Sequence, residues 1–95
     1  MPEQSVSFML TGSVSPNPFA SGVDFEVSGV STGDESAIEV IDVSGRRVRR
    51  LRGNGSGLVP WDGRDEVGRV VANGLYWARL SYKGKASVLK LVKAW

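Results

Sequence analysis

The sequence contains neither cysteine nor histidine. Without cysteine there can be no disulfide, no thiolate nucleophile and no zinc-cysteine site, so stability must come from packing. Without histidine there can be no imidazole base, no Ser-His pair and no histidine metal ligand. Most hydrolase mechanisms are thereby excluded, although a metal site of oxygen ligands or a carboxylate pair remains chemically possible. We predict a protein that is not an enzyme and uses no cofactor.

Long apolar runs are also missing. No stretch approaches the roughly 18 to 20 apolar residues that cross a bilayer. Residues 1–4 lack the basic start and apolar segment of a signal peptide, so we expect any export signal to lie elsewhere in a longer protein. The 95 residues suffice for one domain with one core, and 41% hydrophobic and 23% charged residues are typical of a globular chain.

Charge is unevenly distributed along the chain. Residues 1–45 contain seven acids and no bases (−7), whereas residues 46–95 contain twelve bases and three acids (+9). This asymmetry is compatible with a polyanion-binding face. In an antiparallel sandwich it also gives complementary strands and edges protected from aggregation, and we favour this structural interpretation.

Turn residues recur about every ten positions and indicate an all-β sandwich of short strands. Segment 37–43 is expected to be central and covered on both faces, and Pro60 is expected at a sheet edge. Residues 1–13 form either a first strand or a tether from an upstream domain, and residues 14–95 form the domain itself. The predicted strands are 6–10, 23–28, 37–43, 47–51, 58–61, 75–82 and 86–94.

The segments between these strands carry further predictions. Residues 15–19 contain two prolines and should form a stiff corner that presses Phe19 into the core. Asp42 should lie at a bulge or accept hydrogen bonds from the turn at 44–46. Residues 53–57 are expected to be a flexible polar loop with little contact with the core, and residues 61–68 a compact double turn.

Several short motifs occur in an order more specific than any one of them. The chain resembles the type A C-terminal sorting domain of type IX (Por) secretion and is similar to the related immunoglobulin-like domain of the flagellar hook-cap protein FlgD. The resemblance runs from about Val14 to Trp95. Its motif residues are Pro16, Asn17, Pro18, Phe19, Asp42, Gly45, Arg46, Trp61, Asp62, Gly63, Gly68, Gly74 and Tyr76, followed by a closing Lys90-Leu91-Val92-Lys93.

The resemblance implies an immunoglobulin-like antiparallel β-sandwich of about seven strands with Greek-key connections. It implies a non-catalytic sorting signal that directs an exported cargo through the periplasm and outer membrane, to be secreted or held at the cell surface. The implied partners are the outer-membrane translocon, a sortase-like peptidase that cleaves near residues 1–13, the upstream cargo domain and lipopolysaccharide. Translocon recognition is implied for Lys90, Leu91, Val92, Lys93, Ala94 and Trp95.

The last strand, by ending the chain, is expected to be exposed and open to strand addition by a partner. Two features depart from the family pattern: Ile41 stands where an aromatic is common, and the loop at 53–57 is shorter and more polar. Two other functions remain open. One is a structural accessory module, FlgD-like or a glycosidase-associated spacer, and the other is a glycan-binding module.

Asp62, Asp65 and Glu66 supply hard oxygen ligands, which makes the double turn a calcium candidate. Their spacing does not match an EF-hand loop, and we favour a structural role. In that interpretation Asp62 caps a turn, Gly63 takes a positive φ and Trp61 packs against the sheet edge. Asp65 and Glu66 would then face water.

Five arginines fall within seven residues: Arg46, Arg47, Arg49, Arg50 and Arg52. Strand alternation should divide them between two faces unless a bulge intervenes. No aromatic interleaves with them, so we expect no nucleic-acid partner and favour a solvated edge over contact with lipopolysaccharide or the translocon.

The aromatic residues near the end of the chain, Tyr76, Trp77, Tyr82 and Trp95, are candidates for a sugar-binding platform. The alternation of Tyr76 and Tyr82 with Trp77 argues against a surface shared by these residues and Trp95. Packing is the favoured role for these side chains.

Overall fold

The structure is a computed structural model that describes residues 10–94. These residues form a two-layer, immunoglobulin-like β-sandwich with Greek-key connections and no helix, which confirms the predicted fold. One sheet has the order β1-β2-β5 and the other β4-β3-β6-β7, with all neighbours antiparallel. The strands are β1 (Thr11–Ser15), β2 (Val23–Ser28), β3 (Glu35–Asp42), β4 (Arg47–Asn54), β5 (Gly57–Trp61), β6 (Gly74–Tyr82) and β7 (Lys85–Lys93).

The structure tests the predicted strand at 6–10 only at its last residue. Residues 6–9 of that prediction lie outside the described residues, and Leu10 is buried but belongs to no strand. The first described strand is β1, which pairs with β2 from Thr11↔Ser28 to Ser15↔Asp24. In residues 10–94 there is no helix of the length and apolarity that crossing a membrane requires.

The core lies between the two sheets. Along β2, Val23, Phe25 and Val27 are buried and alternate with exposed polar residues, as predicted. Trp61 is also in the core, with 2% of its surface exposed, so its predicted position against the sheet edge is wrong. The reason is the register Val23↔Trp61, which places the indole on the inner face with Phe19 and Phe25, at ring-centroid distances of 5.7 and 6.5 Å.

β3 is central, between β4 and β6, as predicted. Its expected burial on both faces is wrong. Ile38 and Val40 are fully buried, whereas Ile41 is only half-buried and Val43, just beyond the strand, is 71% exposed. Because seven strands make only two layers, each sheet has one buried face and one open face.

The predicted polar loop at 53–57 is largely strand. Gly53 and Asn54 end β4 and Gly57 begins β5, which leaves only residues 55–56 as the connection. Gly53 is buried, and a Cβ there would lie 2.9 Å from Ser36 Oγ and 3.0 Å from Val59 Cγ2. The expectation that this segment has little contact with the core is therefore wrong.

The closing hairpin, β6–β7, is confirmed as the longest pair of strands. Its two-residue connection, Lys83-Gly84, has φ of 47° and 77°, which suits the twist of the strands. Near the start of β6 the Tyr76 hydroxyl donates to the Ala72 carbonyl, a tyrosine corner of the kind that immunoglobulin-like sandwiches use. Burial raises the pKa of Tyr76.

Candidate functional site

β7 is an edge strand of the four-stranded sheet and carries most of the closing motif. Leu91 is fully buried, and Lys93 is 6% exposed with its Nζ 3.2 Å from Asn73 Oδ1. Lys90 is exposed, and Val92 and Ala94 are half-buried. The side chains available to a partner are therefore Lys90, Val92 and Ala94, whereas Leu91 and Lys93 are buried in the fold. Trp95 lies outside the described residues.

The proline corner lies along the outer edge of β7. Phe19 is fully buried, as predicted. Its N–H donates to the Val92 carbonyl (2.9 Å), and its carbonyl accepts from the Ala94 N–H (3.0 Å). The Asn17 side chain extends this pairing, because Nδ2 donates to the Lys90 carbonyl and Oδ1 accepts from the Val92 N–H, both at 3.0 Å.

The edge of β7 is thus closed from Lys90 to Ala94. The prediction that a partner adds a strand to an open edge is wrong for these residues. The physical reason is that a side-chain amide offers one acceptor and two donors, so Asn17 satisfies the outward main-chain groups that another strand would otherwise pair with.

The double turn after β5 is held by its own carboxylates. Asp62 Oδ1 accepts from the Arg64 N–H and from Arg49 Nη1, both at 3.0 Å. Asp65 Oδ1 accepts from the N–H groups of Val67 and Arg69, at 3.0 and 2.9 Å. The hydrogen bond from the Arg69 N–H is the main cause that holds the pKa of Asp65 below its ordinary value.

Glu66 closes the outer edge of β4. Its N–H donates to the Val48 carbonyl (3.1 Å), and its Oε2 accepts from the Arg50 N–H (3.0 Å). The expectation that Asp65 and Glu66 simply face water is therefore incomplete. Residues 10–94 contain no group of three or more acidic side chains placed to hold a metal ion, so the geometry does not support the calcium candidate of Asp62, Asp65 and Glu66.

Asp42 has both features predicted for it. It follows a bulge in the β3–β4 pairing, and its Oδ1 accepts from Ser44 Oγ (2.7 Å) and from the N–H groups of Ser44 and Arg46 (both 3.0 Å). The Ser44 hydroxyl is the largest cause that lowers the pKa of Asp42. Asp42 and Gly45, with φ 86° at Gly45, therefore build the hairpin turn.

The same bulge rearranges the arginines of β4. Val40 pairs with Arg49 but Ile41 pairs with Arg47, so Val48 is the extra residue. Arg49 consequently lies on the inner side, where it contacts Asp62. The outward arginines are Arg47, Arg50 and Arg52, whose partners on β3 are Ile41, Glu39 and Ala37.

The pairing continues across the sheet. One row reads Arg47–Ile41–Trp77–Lys90, and the next reads Arg50–Glu39–Arg79–Val88. Trp77 is half-buried on this outer face, so β6 places an aromatic near the outward arginines although none interleaves with them in the sequence. Tyr76 and Tyr82 are buried on the inner face, which confirms that alternation separates them from Trp77.

Comparison with solved structures identifies the fold. The chain resembles dimeric latent PorU from Porphyromonas gingivalis with a TM-score of 0.72 and 21% identity, over 87% of this chain and 9% of that chain. It also resembles PorZ from the same organism, described as an essential surface component of the type-IX secretion system. That match has a TM-score of 0.67 and 22% identity, over 88% of this chain and 11% of that chain.

At these identities the likeness shows the fold alone. The chain spans about a tenth of the length of either solved chain. No protein-family model and no curated protein matches the sequence.

Proposed function

We propose that this domain is a non-catalytic sorting module that directs an exported cargo to the cell surface by type IX secretion. The observation that carries the proposal is the contact between the proline corner and the closing strand. These are the two family motifs farthest apart in the sequence, and Asn17 and Phe19 join them through four hydrogen bonds. The fold likeness to PorU and PorZ supports the same assignment.

The proposed mechanism uses the folded surface rather than a free edge. Because the main chain from Lys90 to Ala94 is already paired, a translocon would contact the outward side chains of Lys90 and Val92 and the neighbouring outer face of the sheet. The buried Leu91 and Lys93 would act indirectly, by fixing the strand.

The proposed partners are the outer-membrane translocon, a sortase-like peptidase acting near residues 1–13, the upstream cargo domain and lipopolysaccharide. The proposed location is outside the cell or on its surface. The absence of catalysis belongs to the same proposal. Asp42, Asp62, Asp65 and Glu66 all accept hydrogen bonds that build turns or edges, which supports a structural role for these carboxylates.

The test is a fusion of residues 1–95 behind an exported fluorescent reporter in a host with type IX secretion, read by protease accessibility at the cell surface. Deleting residues 90–95 is unsuitable, because it removes the fully buried Leu91 and the partner of Phe19. Lys90→Ser changes an exposed side chain instead. Arg69→Ser, at an arginine side chain 81% exposed, is the matched control.

The intact domain and Arg69→Ser should bring the reporter to the surface, and Lys90→Ser should reduce its arrival. The proposal fails if the intact domain leaves the reporter where the unfused reporter stays, in a host that exports its own cargo. That result would favour the structural accessory module instead.

A further inference from the structure

We propose that the outer face of the four-stranded sheet binds an acidic polysaccharide, with Trp77 stacking on a sugar ring and the surrounding cations binding its acidic groups. This inference does not depend on the sorting function. We define the basic face by six residues whose register places them on the outer side of the sheet: Arg47, Arg50, Arg52, Arg79, Lys90 and Trp77.

The charge of this face is only partly compensated within the domain. Glu39 lies 3.1 Å from Arg47 and 3.9 Å from Arg79, so it is shared by two arginines that are each 51% exposed. Among residues 10–94 no ion pair involves Arg50, Arg52 or Lys90. With Glu35 at the end of β3, five cations face two carboxylates, which leaves a net charge of +3.

The outer face of the three-stranded sheet, on the opposite side of the molecule, is negatively charged. The outward residues of β2 include Asp24 and Glu26, and their neighbours on β1 and β5 are serine, threonine, leucine and proline. A polyanion is therefore attracted to one face and repelled by the other. The net charge of +2 does not say where a polyanion would bind, whereas the separation of charge onto two faces does.

The outer face of this sheet is uncovered, whereas parts of both its edges are already hydrogen-bonded. Glu66 pairs with the edge of β4, and Asn17 and Phe19 pair with the edge of β7 from Lys90 to Ala94. A strand-like ligand at these positions would have to displace the contacts of Glu66, Asn17 and Phe19. A ligand that lies flat on the sheet displaces none of them.

Trp77 is the feature of the basic face that favours a sugar over other polyanions. Lys90 is its neighbour on the adjacent strand, about 4.8 Å away in the backbone, and Arg47 is two strands away on the other side, about 10 Å. One flat aromatic with cations at one and two strand spacings suits a sugar ring whose carboxylate, or that of the next sugar, reaches an arginine. A nucleic-acid strand favours several stacking aromatics, and this face has a single one among the described residues.

The test uses polygalacturonate as the acidic glycan, neutral dextran as the uncharged control and single-stranded DNA as the competing polyanion. Binding is measured by calorimetry at low and at physiological salt. Two double variants remove the same charge. R50Q/R52Q changes the basic face, and R46Q/R69Q changes two exposed arginines at one end of the sandwich, next to Asp42 and Asp65. Trp77→Val removes the ring and keeps a strand-forming residue.

The expected result is binding to polygalacturonate and none to dextran, with R50Q/R52Q at least about tenfold weaker and R46Q/R69Q nearly unchanged. Trp77→Val should weaken binding by about threefold to tenfold with no change in charge. Backbone amide shifts should map the contact onto β4, β6 and β7.

Any of three results would overturn the proposal. These are the absence of binding to polygalacturonate at low salt, an equal loss in the two double variants, and no effect of Trp77→Val. DNA binding as tight as that of polygalacturonate, and equally sensitive to Trp77→Val, would assign the face to nucleic acid instead. Circular dichroism and melting of each variant exclude unfolding as the cause.

Discussion

At the scale of single residues, the Asn17 side chain hydrogen-bonds the edge of β7 as a neighbouring strand would. Its side chain bonds Lys90 and Val92, which are 73 and 75 positions away in the sequence. Nothing local in Pro16-Asn17-Pro18 reveals this role, because the sequence shows a rigid corner but not what lies beside it. The burial of Phe19 could be predicted, because the two prolines fix the backbone of the corner and a large apolar ring beside them is stabilised by entering the core.

Asn17→Ala should lower the free energy of unfolding by about 1–2 kcal/mol, because two hydrogen bonds to β7 are lost at a partly solvated edge. Denaturant titration measures the change. Asn54→Ala, at an exposed position on β4, is the control and should stay within about 0.5 kcal/mol of the parent. Equal losses in the two variants would show that the contact contributes nothing.

Asp42 should make stability depend on acid pH. Its pKa is lowered in the folded state, chiefly by the Ser44 hydroxyl, so its contribution is present above the pKa of the unfolded chain. That contribution is lost as the pH falls through the folded-state pKa, and stability should therefore decline below about pH 4.

The Asp42→Asn variant should lose less stability than the parent protein as the pH falls from about 7 to about 2, roughly the range that brackets carboxyl titration. Chemical unfolding at a series of pH values in this range measures the loss. Asp24→Asn, on the exposed side of β2, controls for the loss of one negative charge. An unchanged pH profile in Asp42→Asn would contradict the role assigned to this carboxylate.

At the scale of elements, the sequence predicts regular pairs well and irregular ones poorly. The alternation of β2 and the closing hairpin could be predicted because side chains repeat every two residues. Which arginines face outward could not be predicted, because the extra residue Val48 moves Arg47 onto the face of Arg50 and Arg52. Five arginines in a row give no sign of which position is the bulge.

The double turn after β5 provides an element-scale prediction. Gly63 has φ 76°, and a Cβ there would lie 2.3 Å from the Ser21 carbonyl oxygen; Gly68 has φ 88° and no atom within 4 Å. Both Gly→Ala variants carry the cost of a left-handed conformation, about 1–3 kcal/mol. Only Gly63→Ala adds a backbone clash.

We therefore expect Gly63→Ala to lose clearly more stability than Gly68→Ala, or to fail to fold. Thermal melting of the two variants beside the parent protein gives the comparison. Similar losses for the two would mean that the close approach of Ser21 to the turn is unimportant.

At the scale of the whole molecule, the segregated charge has a structural expression that the sequence alone leaves open. The acids of β2 and the cations of the basic face lie on opposite outer surfaces. The sequence favours complementary strands as the explanation, and the ion pairs of Glu39 with Arg47 and Arg79 confirm part of it. The remaining cations are exposed, because the two-layer fold covers only one side of each sheet.

Recognition by the folded surface requires that the edge of the last strand be closed from Lys90 to Ala94. Site-resolved amide hydrogen exchange tests this directly. The N–H groups of Val92 and Ala94 donate to Asn17 and Phe19, whereas those of Ala86 and Val88 point outward in the same register, and no described strand pairs with that edge of β7. Val92 and Ala94 should exchange much more slowly than Ala86 and Val88, and Asn17→Ala should release Val92. Equally fast exchange at all four positions in the parent protein would contradict the closed edge and restore an open strand as the site of recognition.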